Sequence, residues 1–319
     1  MKNFRLLLAA CIAFASLGVC AQSWPTKTVR IISPFPPGGS VDAVARLFAA
    51  QLTQQTGQQF IVENRTGASG VIGTQVVASS PPDGHTLAVV FDTHGVNPSL
   101  MSNMPYDTLK DLAAVMLIGT APMALVAHPG QPFKDFRDVL AAAKSQPVPF
   151  GSVGSGSLGH LAMTQIANME HVQFTHVPYK GGGPLMIDAI GGQVPLAIGT
   201  VVLVSQHVKA GKVKALAVTS EKRSPQWPDV GTMSEQGVPG FSAVAWWGLI
   251  APGATPPAVV KRINEEFQKA LNDPALAGKL REQGMDIVGG GPEVLDKFLR
   301  SEIDRWAKVV RDNKIKAGD

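Results

Sequence analysis

Two glycine-rich loops carry the residue types from which an anion site can be built. The first spans residues 34–42, Pro-Phe-Pro-Pro-Gly-Gly-Ser-Val-Asp. It follows Val29-Arg30-Ile31-Ile32, which reads as a buried strand, and precedes a helical stretch with Val44, Leu47, Phe48 and Leu52 on one face. Such a loop lies at the carboxyl edge of a sheet, where α/β folds hold ligands. Gly38 and Gly39 let backbone amides approach a guest, Phe35 and Pro37 are candidate contacts beside them, and Ser40 can cap a helix whose N–H groups and partial positive charge follow. Two or three charge-assisted hydrogen bonds of about 1.5–3 kcal/mol each would hold a carboxylate at micromolar affinity, about −8 kcal/mol. Asp42 is expected to brace the loop and offset the helix dipole, or to meet a ligand amine. A plain Pro/Gly turn accounts for the same residues equally well, and this loop alone does not decide between the two.

The second loop, residues 151–160, reads Gly-Ser-Val-Gly-Ser-Gly-Ser-Leu-Gly-His and contains GxGxxG at Gly154, Gly156 and Gly159. A dinucleotide site would need an acid about 20 residues on, and residues 175–180 offer none. The P-loop pattern also fails, because Gly211-Lys212 is followed by Val213. What remains is a small neutral anion nest at a helix start, with Ser152, Ser155, Gly156 and Ser157 as candidate contacts. Ser157 lacks the GxSxG setting of a nucleophile elbow, so a Ser157–His160 hydrolase pair is disfavoured, and His160 reads as a helix-face residue packed beside the loop.

Three further segments follow strands: residues 92–98, 179–183 and 199–200. Thr93, Tyr179 and Thr200 could donate hydroxyls to a guest. His94 is carried as a candidate contact, although for both His94 and Asn97 the favoured role is satisfying turn backbone. Trp246 and Trp247 alternate along a strand, which sends one into the core and offers the other to a cleft.

The elements that must position these loops alternate along the whole chain. Short β-branched runs such as Phe60-Ile61-Val62 and residues 86–91 are interleaved with amphipathic stretches such as 71–78, 133–143, 158–168 and 184–190. Further strands are read at Phe150, 175–177, 196–198, 215–218 and 243–250, and helices close the chain after Pro256-Pro257. This is an α/β class with mixed, mostly parallel sheets. If the C-terminal strand and helices return to the first sheet, residues 22–120 and 243–319 form one lobe and residues 121–242 an inserted second lobe.

The N-terminus carries Lys2 and Arg5, an apolar run over residues 6–17 and the small residues Gly18-Val19-Cys20-Ala21, the pattern of a secretory signal peptide cleaved after Ala21. A run of 12 residues is too short to span a bilayer of roughly 30 Å. A lipid-modified Cys20 is the secondary reading, since Val19 stands where such sites prefer Gly or Ala. Both cysteines, Cys11 and Cys20, fall in this segment, so cleavage leaves no thiol for disulfides, metal sites or nucleophilic catalysis. The seven histidines include no pair spaced i, i+4, and no zinc signature or other cofactor is expected. Loss of Lys2 and Arg5 leaves 26 basic residues against 24 acids, a balance that calls for no nucleic acid partner. A hydrophobic fraction of 45% over nearly 300 residues supplies more core than one lobe usually holds.

With these residues in order, the chain resembles the Bug family, the extracytoplasmic receptors of tripartite tricarboxylate transporters. The resemblance rests on Trp24-Pro25, residues 34–42, Val62-Glu63-Asn64-Arg65 with Gly67-Ala68-Ser69-Gly70, Asp83-Gly84-His85-Thr86-Leu87, Asn97-Pro98 and Tyr106-Asp107. It continues through residues 154–162, His176-Val177-Pro178-Tyr179-Lys180-Gly181, Lys209-Ala210-Gly211-Lys212, Ala217-Val218-Thr219-Ser220 and Lys222-Arg223, so it spans essentially the whole chain after the signal segment. It implies a monomeric, two-lobed periplasmic protein that closes like a flytrap. One ligand carboxylate would lie at residues 34–40, partly through waters, and the other end at residues 152–157, before delivery to a membrane permease.

This chain departs from the family pattern at Pro195 and Gly199, where acids are common, and at Thr164, where Glu is common. Fewer acids near the second-lobe loop favour a dicarboxylate or aromatic acid over an amino acid. A sensor that signals to a membrane kinase shares the same sequence features. An enzyme would also need a base and an orienting acid, which the sequence does not place.

Overall fold

The computed structural model describes residues 24–313 and 315; the signal segment, Cys20 and the expected cleavage point lie outside the described residues. The first half runs β1 (Val29–Ser33), α1 (Ser40–Thr56), β2 (Phe60–Asn64), α2 (Val71–Ala78), β3 (Thr86–Phe91) and α3 (Thr93–Leu100), then the long β4 (Leu112–Ala127). It is followed by α4 (Phe136–Ser145), β5 (Val148–Ser152), α5 (Leu158–Glu170), β6 (Phe174–Pro178), α6 (Gly182–Ile190), β7 (Leu196–Thr200), α7 (Val201–Lys209) and β8 (Lys214–Val218). The chain ends with β9 (Val244–Pro252), α8 (Pro257–Leu271), α9 (Pro274–Glu282), β10 (Asp286–Ile287) and α10 (Pro292–Asp312).

The strands lie in the order β2-β1-β3-β9-β4-β7-β5-β6, with β8 and β10 also on β4. Parallel pairs occupy the two ends, β2-β1-β3 and β7-β5-β6, while the antiparallel pairs gather around β4 and β9. The parallel ends are βαβ units, whose loops after the strands all open on one edge.

β4 joins the two lobes. Residues up to Pro122 pair with β9, and from Met123 onward the strand pairs with β7 and β8. The returning chain is tied at the same point: buried Thr219 accepts the Met123 N–H at 2.9 Å through its hydroxyl, donates that hydroxyl to the Ala243 carbonyl, and accepts the Ala243 N–H on its own carbonyl at 2.9 Å.

Three elements differ from the sequence expectation. β4 is read as no element from sequence, because it is buried on both faces, lacks alternation and contains Gly119 and Pro122. Residues 92–98, expected as a loop, form most of helix α3 with Pro98 inside. There tertiary packing overrides Pro98: α10 lies so close that a methyl on Gly95 would stand 3.2 Å from the Glu302 Cβ. α7 begins directly after β7 with Thr200 as its cap, so no loop signal announces it.

The cores follow from the helix faces. α10 buries Leu295, Leu299, Glu302, Trp306 and Val310 at spacings of three and four, and Glu302 is satisfied by the Trp306 Nε1–H at 2.8 Å. Phe48 of α1 stacks on Phe267 of α8 at 5.3 Å, closing one face of the first sheet.

Candidate functional site

The loop after β1 is held from behind. Asp42 accepts the Gly38 N–H at 3.1 Å, the Arg46 Nε–H at 3.0 Å and the Asn64 amide at 2.8 Å, and Asn64 also donates to the Phe35 carbonyl at 2.9 Å. Burial opposes ionisation of Asp42, but Arg46, Asn64 and the Gly38 N–H outweigh it and hold the carboxyl below its ordinary range. The geometry is that of a brace. Gly38, at φ 80°, makes the turn that brings its N–H to Asp42.

Ser40 does not cap α1. The N-cap is Gly39, and no side chain accepts from the first turn. α6 starts in the same way, with Gly181 at its N-cap and no side-chain cap, whereas α5 and α7 are capped by Ser157 and Thr200.

The two uncapped starts face each other. A methyl built on Gly39 would stand 3.7 Å from the Gly182 nitrogen, and one on Gly183 would stand 2.6 Å from the Pro37 carbonyl oxygen. Between them lies a cavity of about 20 Å³, lined from the first lobe by Phe35, Gly39, Ser40, Val41 and Phe91, and from the second by Met123, Val153, Gly182, Thr200 and Leu203. That volume accommodates about one water. Sites for small ligands begin at roughly 300 Å³, so admission of a solute requires these loops to part.

A groove of about 510 Å³ adjoins this cavity and also crosses between the lobes, with Phe35 and Val153 on both linings. Ser155 and Tyr179 line it. The Tyr179 hydroxyl donates to Asp188 at 2.9 Å, and burial together with that carboxylate pushes it up to about 12.

Behind the groove the second glycine loop is shaped by hydroxyls and two stacked imidazoles. Ser152 Oγ lies 2.7 Å from His176 Nε2 and accepts the Gly154 N–H at 3.2 Å, and Ser157 Oγ donates to it at 3.3 Å. His160 Nδ1 accepts the Gly156 N–H at 3.1 Å, and its ring lies 4.0 Å from that of His176. A hydrolase pairing of Ser157 with the His160 ring is not formed: the His160 backbone N–H, not the ring, meets Ser157 Oγ.

The remaining candidates lie deeper. Thr93 and His94 are buried in α3 and line neither cavity; burial pushes the His94 imidazole down to about 4. Asn97 donates to the Ser69 carbonyl at 3.1 Å. Asp92, also buried, has its carboxyl pushed up to about 8 by burial, with the Leu158 N–H pulling the other way and Glu302 adding to the rise. Neither Asp92 oxygen meets hydrogen-bonding geometry with that N–H, so its pull is electrostatic. Neither tryptophan reaches the cleft: Trp247 packs on Phe91 and Trp246 on Phe298, and both are fully buried.

Thus Phe35, Gly39, Ser40 and Thr200 meet at the inner cavity, Phe35, Ser155 and Tyr179 at the groove, and Pro37 and Gly38 at the contact between lobes. Ser152, Gly156 and Ser157 stand behind them. The sequence candidates did not include Phe91, Met123 and Leu203, and within the candidate loops they did not single out Val41, Val153 or Gly182. Gly182 was signalled by its glycine triplet, whereas the apolar residues carry no local signature. Among the described residues no group of His, Cys, Asp and Glu side chains could hold a metal.

Residues 44–315 match the model of the tripartite tricarboxylate transporter family receptor. Protein BugT of Bordetella pertussis is 36% identical over 324 residues, covering 99% of each chain. A Rhodopseudomonas palustris protein solved with adipate superposes with a TM-score of 0.88 at 35% identity, over 92% of this chain and 99% of that one. MatC of the same organism, solved with malate, gives 0.84 at 33% identity, over 90% and 100%.

Proposed function

The chain belongs to the tripartite tricarboxylate transporter receptors, the Bug family, and on that premise we propose that it is a periplasmic solute-binding protein whose lobes close on a small carboxylate. The lobes are residues 22–120 with 243–319, and residues 121–242, moving about the crossing at Met123 and Thr219. The carboxylate class accords with the two R. palustris relatives solved with adipate and malate.

The observation that carries the reading is the pair of uncapped helix starts, α1 and α6, facing each other across the inner cavity. Each presents unsatisfied N–H groups and about half a positive charge. Two like partial charges held together oppose closure, and a carboxylate between them reverses the sign. The ligand is therefore the group that makes the closed form favourable. The contacts we assign are Phe35, Gly39, Ser40 and Thr200 around the carboxylate, with Ser155 and Tyr179 farther out. Pro37 and Gly38 complete the interlobe contact, and Asp42, Ser152, Gly156 and Ser157 shape the loops. The closed form is then delivered, as a monomer, to the membrane permease. No catalytic role is assigned.

The test is a thermal-shift panel of mono-, di- and tricarboxylates, aromatic acids, amino acids and neutral amides on the mature chain. At least one acid raises Tm while its amide does not; a panel without an acid hit overturns the reading.

A further inference from the structure

Four successive residues of the first lobe have positive φ: Gly67 at 134°, Ala68 at 46°, Ser69 at 50° and Gly70 at 92°. Glycine adopts this region freely, whereas Ala68 and Ser69 carry a Cβ that disfavours it. Such a shape persists where its surroundings over-determine it. Here the first lobe does so by itself. The Gly67 carbonyl accepts the N–H groups of Gly70 at 3.1 Å and Ile72 at 3.4 Å, and the buried Asn97 amide donates to the Ser69 carbonyl at 3.1 Å. Packing completes the hold: a methyl on Gly70 would stand 3.4 Å from the Phe35 ring.

What the strained shape achieves is the direction of one hydroxyl. Ser69 donates to the Ser155 carbonyl of the second lobe at 2.9 Å, across the groove that both residues line. Two other side-chain bonds cross between the lobes, Asn168 to Asn313 at 2.8 Å and Gln226 to the Arg281 carbonyl, but none of those four residues lines the cavity or the groove.

The Ser69 bond joins the same walls that bound the inner cavity. Phe35 and Val153 line both spaces, Gly70 packs on Phe35, and Ser155 lies two residues from Val153. With the bond made, the inner cavity has about 20 Å³, room for about one water. Parting the walls far enough for a carboxylate stretches a 2.9 Å bond past the limit of about 3.5 Å at which a hydrogen bond is lost. The facing starts of α1 and α6 repel each other, so this shut arrangement needs a contact that offsets them.

We propose that residues 67–70 are an autoinhibitory latch: the hydrogen bond from Ser69 to Ser155 holds the lobes in a shut arrangement that excludes solutes, and binding requires that it break. Because the first lobe alone fixes the loop, the hydroxyl is already aimed when the lobes meet and loses little freedom on bonding. The proposal rests on the two-lobed closing motion above and adds a contact that opposes uptake. Affinity for any solute is then reduced in proportion to the fraction of the protein that is not latched.

The test uses Ser69→Ala, which removes the hydroxyl, and Ser69→Gly, which removes the hydroxyl and the strain, on the mature chain. Acetate, succinate, citrate and benzoate are the probes in isothermal titration. Each acid that binds the native protein binds both variants more tightly, by a factor of about two to ten, the worth of one neutral hydrogen bond. The factor is the same for every acid, because the latch acts before the solute arrives. A hydroxyl that touches the solute gives the opposite sign, a loss of affinity that varies from acid to acid. Either that loss or an unchanged Kd overturns the latch and leaves the carboxylate reading standing. Nitroxides on Gln54→Cys and Ile187→Cys, one exposed position in each lobe, measure the distance between lobes without solute. The shorter distances of the native chain are depleted in both Ser69 variants. If no acid binds, the carboxylate reading falls and these distances decide alone: identical distributions in the native chain and Ser69→Ala overturn the latch.

Discussion

Gly182, at the start of α6, lies so close to Gly39, at the end of the loop after β1, that a methyl group on Gly182 would stand 3.3 Å from the Gly39 Cα. The two belong to different lobes, and each sits at a helix start without a side-chain cap. At this separation the space between them holds about one water, so a carboxylate reached by backbone amides from both sides needs the two loops to stand farther apart than they do here. Their proximity makes closure sensitive to single carbon atoms.

Gly183→Ala isolates that sensitivity. Gly183 has no positive φ to strain, but its new methyl would meet the Pro37 carbonyl of the opposite lobe at 2.6 Å. Closure is blocked while each lobe keeps its own packing. Carboxylate affinity therefore falls by about tenfold or more by titration calorimetry, and the Tm without ligand hardly changes.

The Asp42 brace has a defined pH window. Its carboxyl is held below the ordinary value of 3.8, so the stability it gives is present above that pH and is lost as the pH falls through the lower folded value. Asp42→Ala leaves the Gly38 N–H and the Asn64 amide without their acceptor, at a cost of about 1–3 kcal/mol at neutral pH by urea unfolding. The gap from the native protein closes as the pH falls through the lowered folded value of the carboxyl.

Asp92 has the opposite sign. Its folded carboxyl is raised to about 8 from 3.8, so its contribution is fully present below 3.8 and is lost as the pH rises through 8. Asp92→Asn removes that dependence and keeps the shape. The variant gains in Tm relative to the native protein as the pH rises from 4 to 8, and the gain levels off above that range; a difference independent of pH contradicts the assignment.

Much of the site was legible in sequence because its donors are backbone groups, and glycine marks where backbone must come close. The residues 34–42 loop and the glycine triplet at 181–183 were visible for that reason. The joint between lobes was harder to read. β4 has the uniform burial of a central strand, so its pattern does not separate it from a buried helix, and Pro122 argues against a strand where the chain passes from one sheet to the other. The apolar wall of Val41, Phe91, Met123, Val153 and Leu203 exists only once the lobes meet. One of Trp246 and Trp247 was expected at the cleft because strands alternate, but β9 is buried on both faces from Ala245 onward.

The joint itself is testable through Thr219. Thr219→Val keeps the volume but leaves the Met123 N–H without the hydroxyl and the Ala243 carbonyl without its donor. The loss is about 1–3 kcal/mol in urea unfolding.

The central claim is that a carboxylate is held by the N–H groups at the starts of α1 and α6 together. It is tested most directly by following the backbone amide resonances of the mature chain during titration with a carboxylate that raises Tm. The amides of Ser40 and Val41 and those of Gly182 and Gly183 move downfield together, with one shared Kd, and the neutral amide of the same compound moves none of them. Saturable binding that leaves either set unmoved would contradict the account.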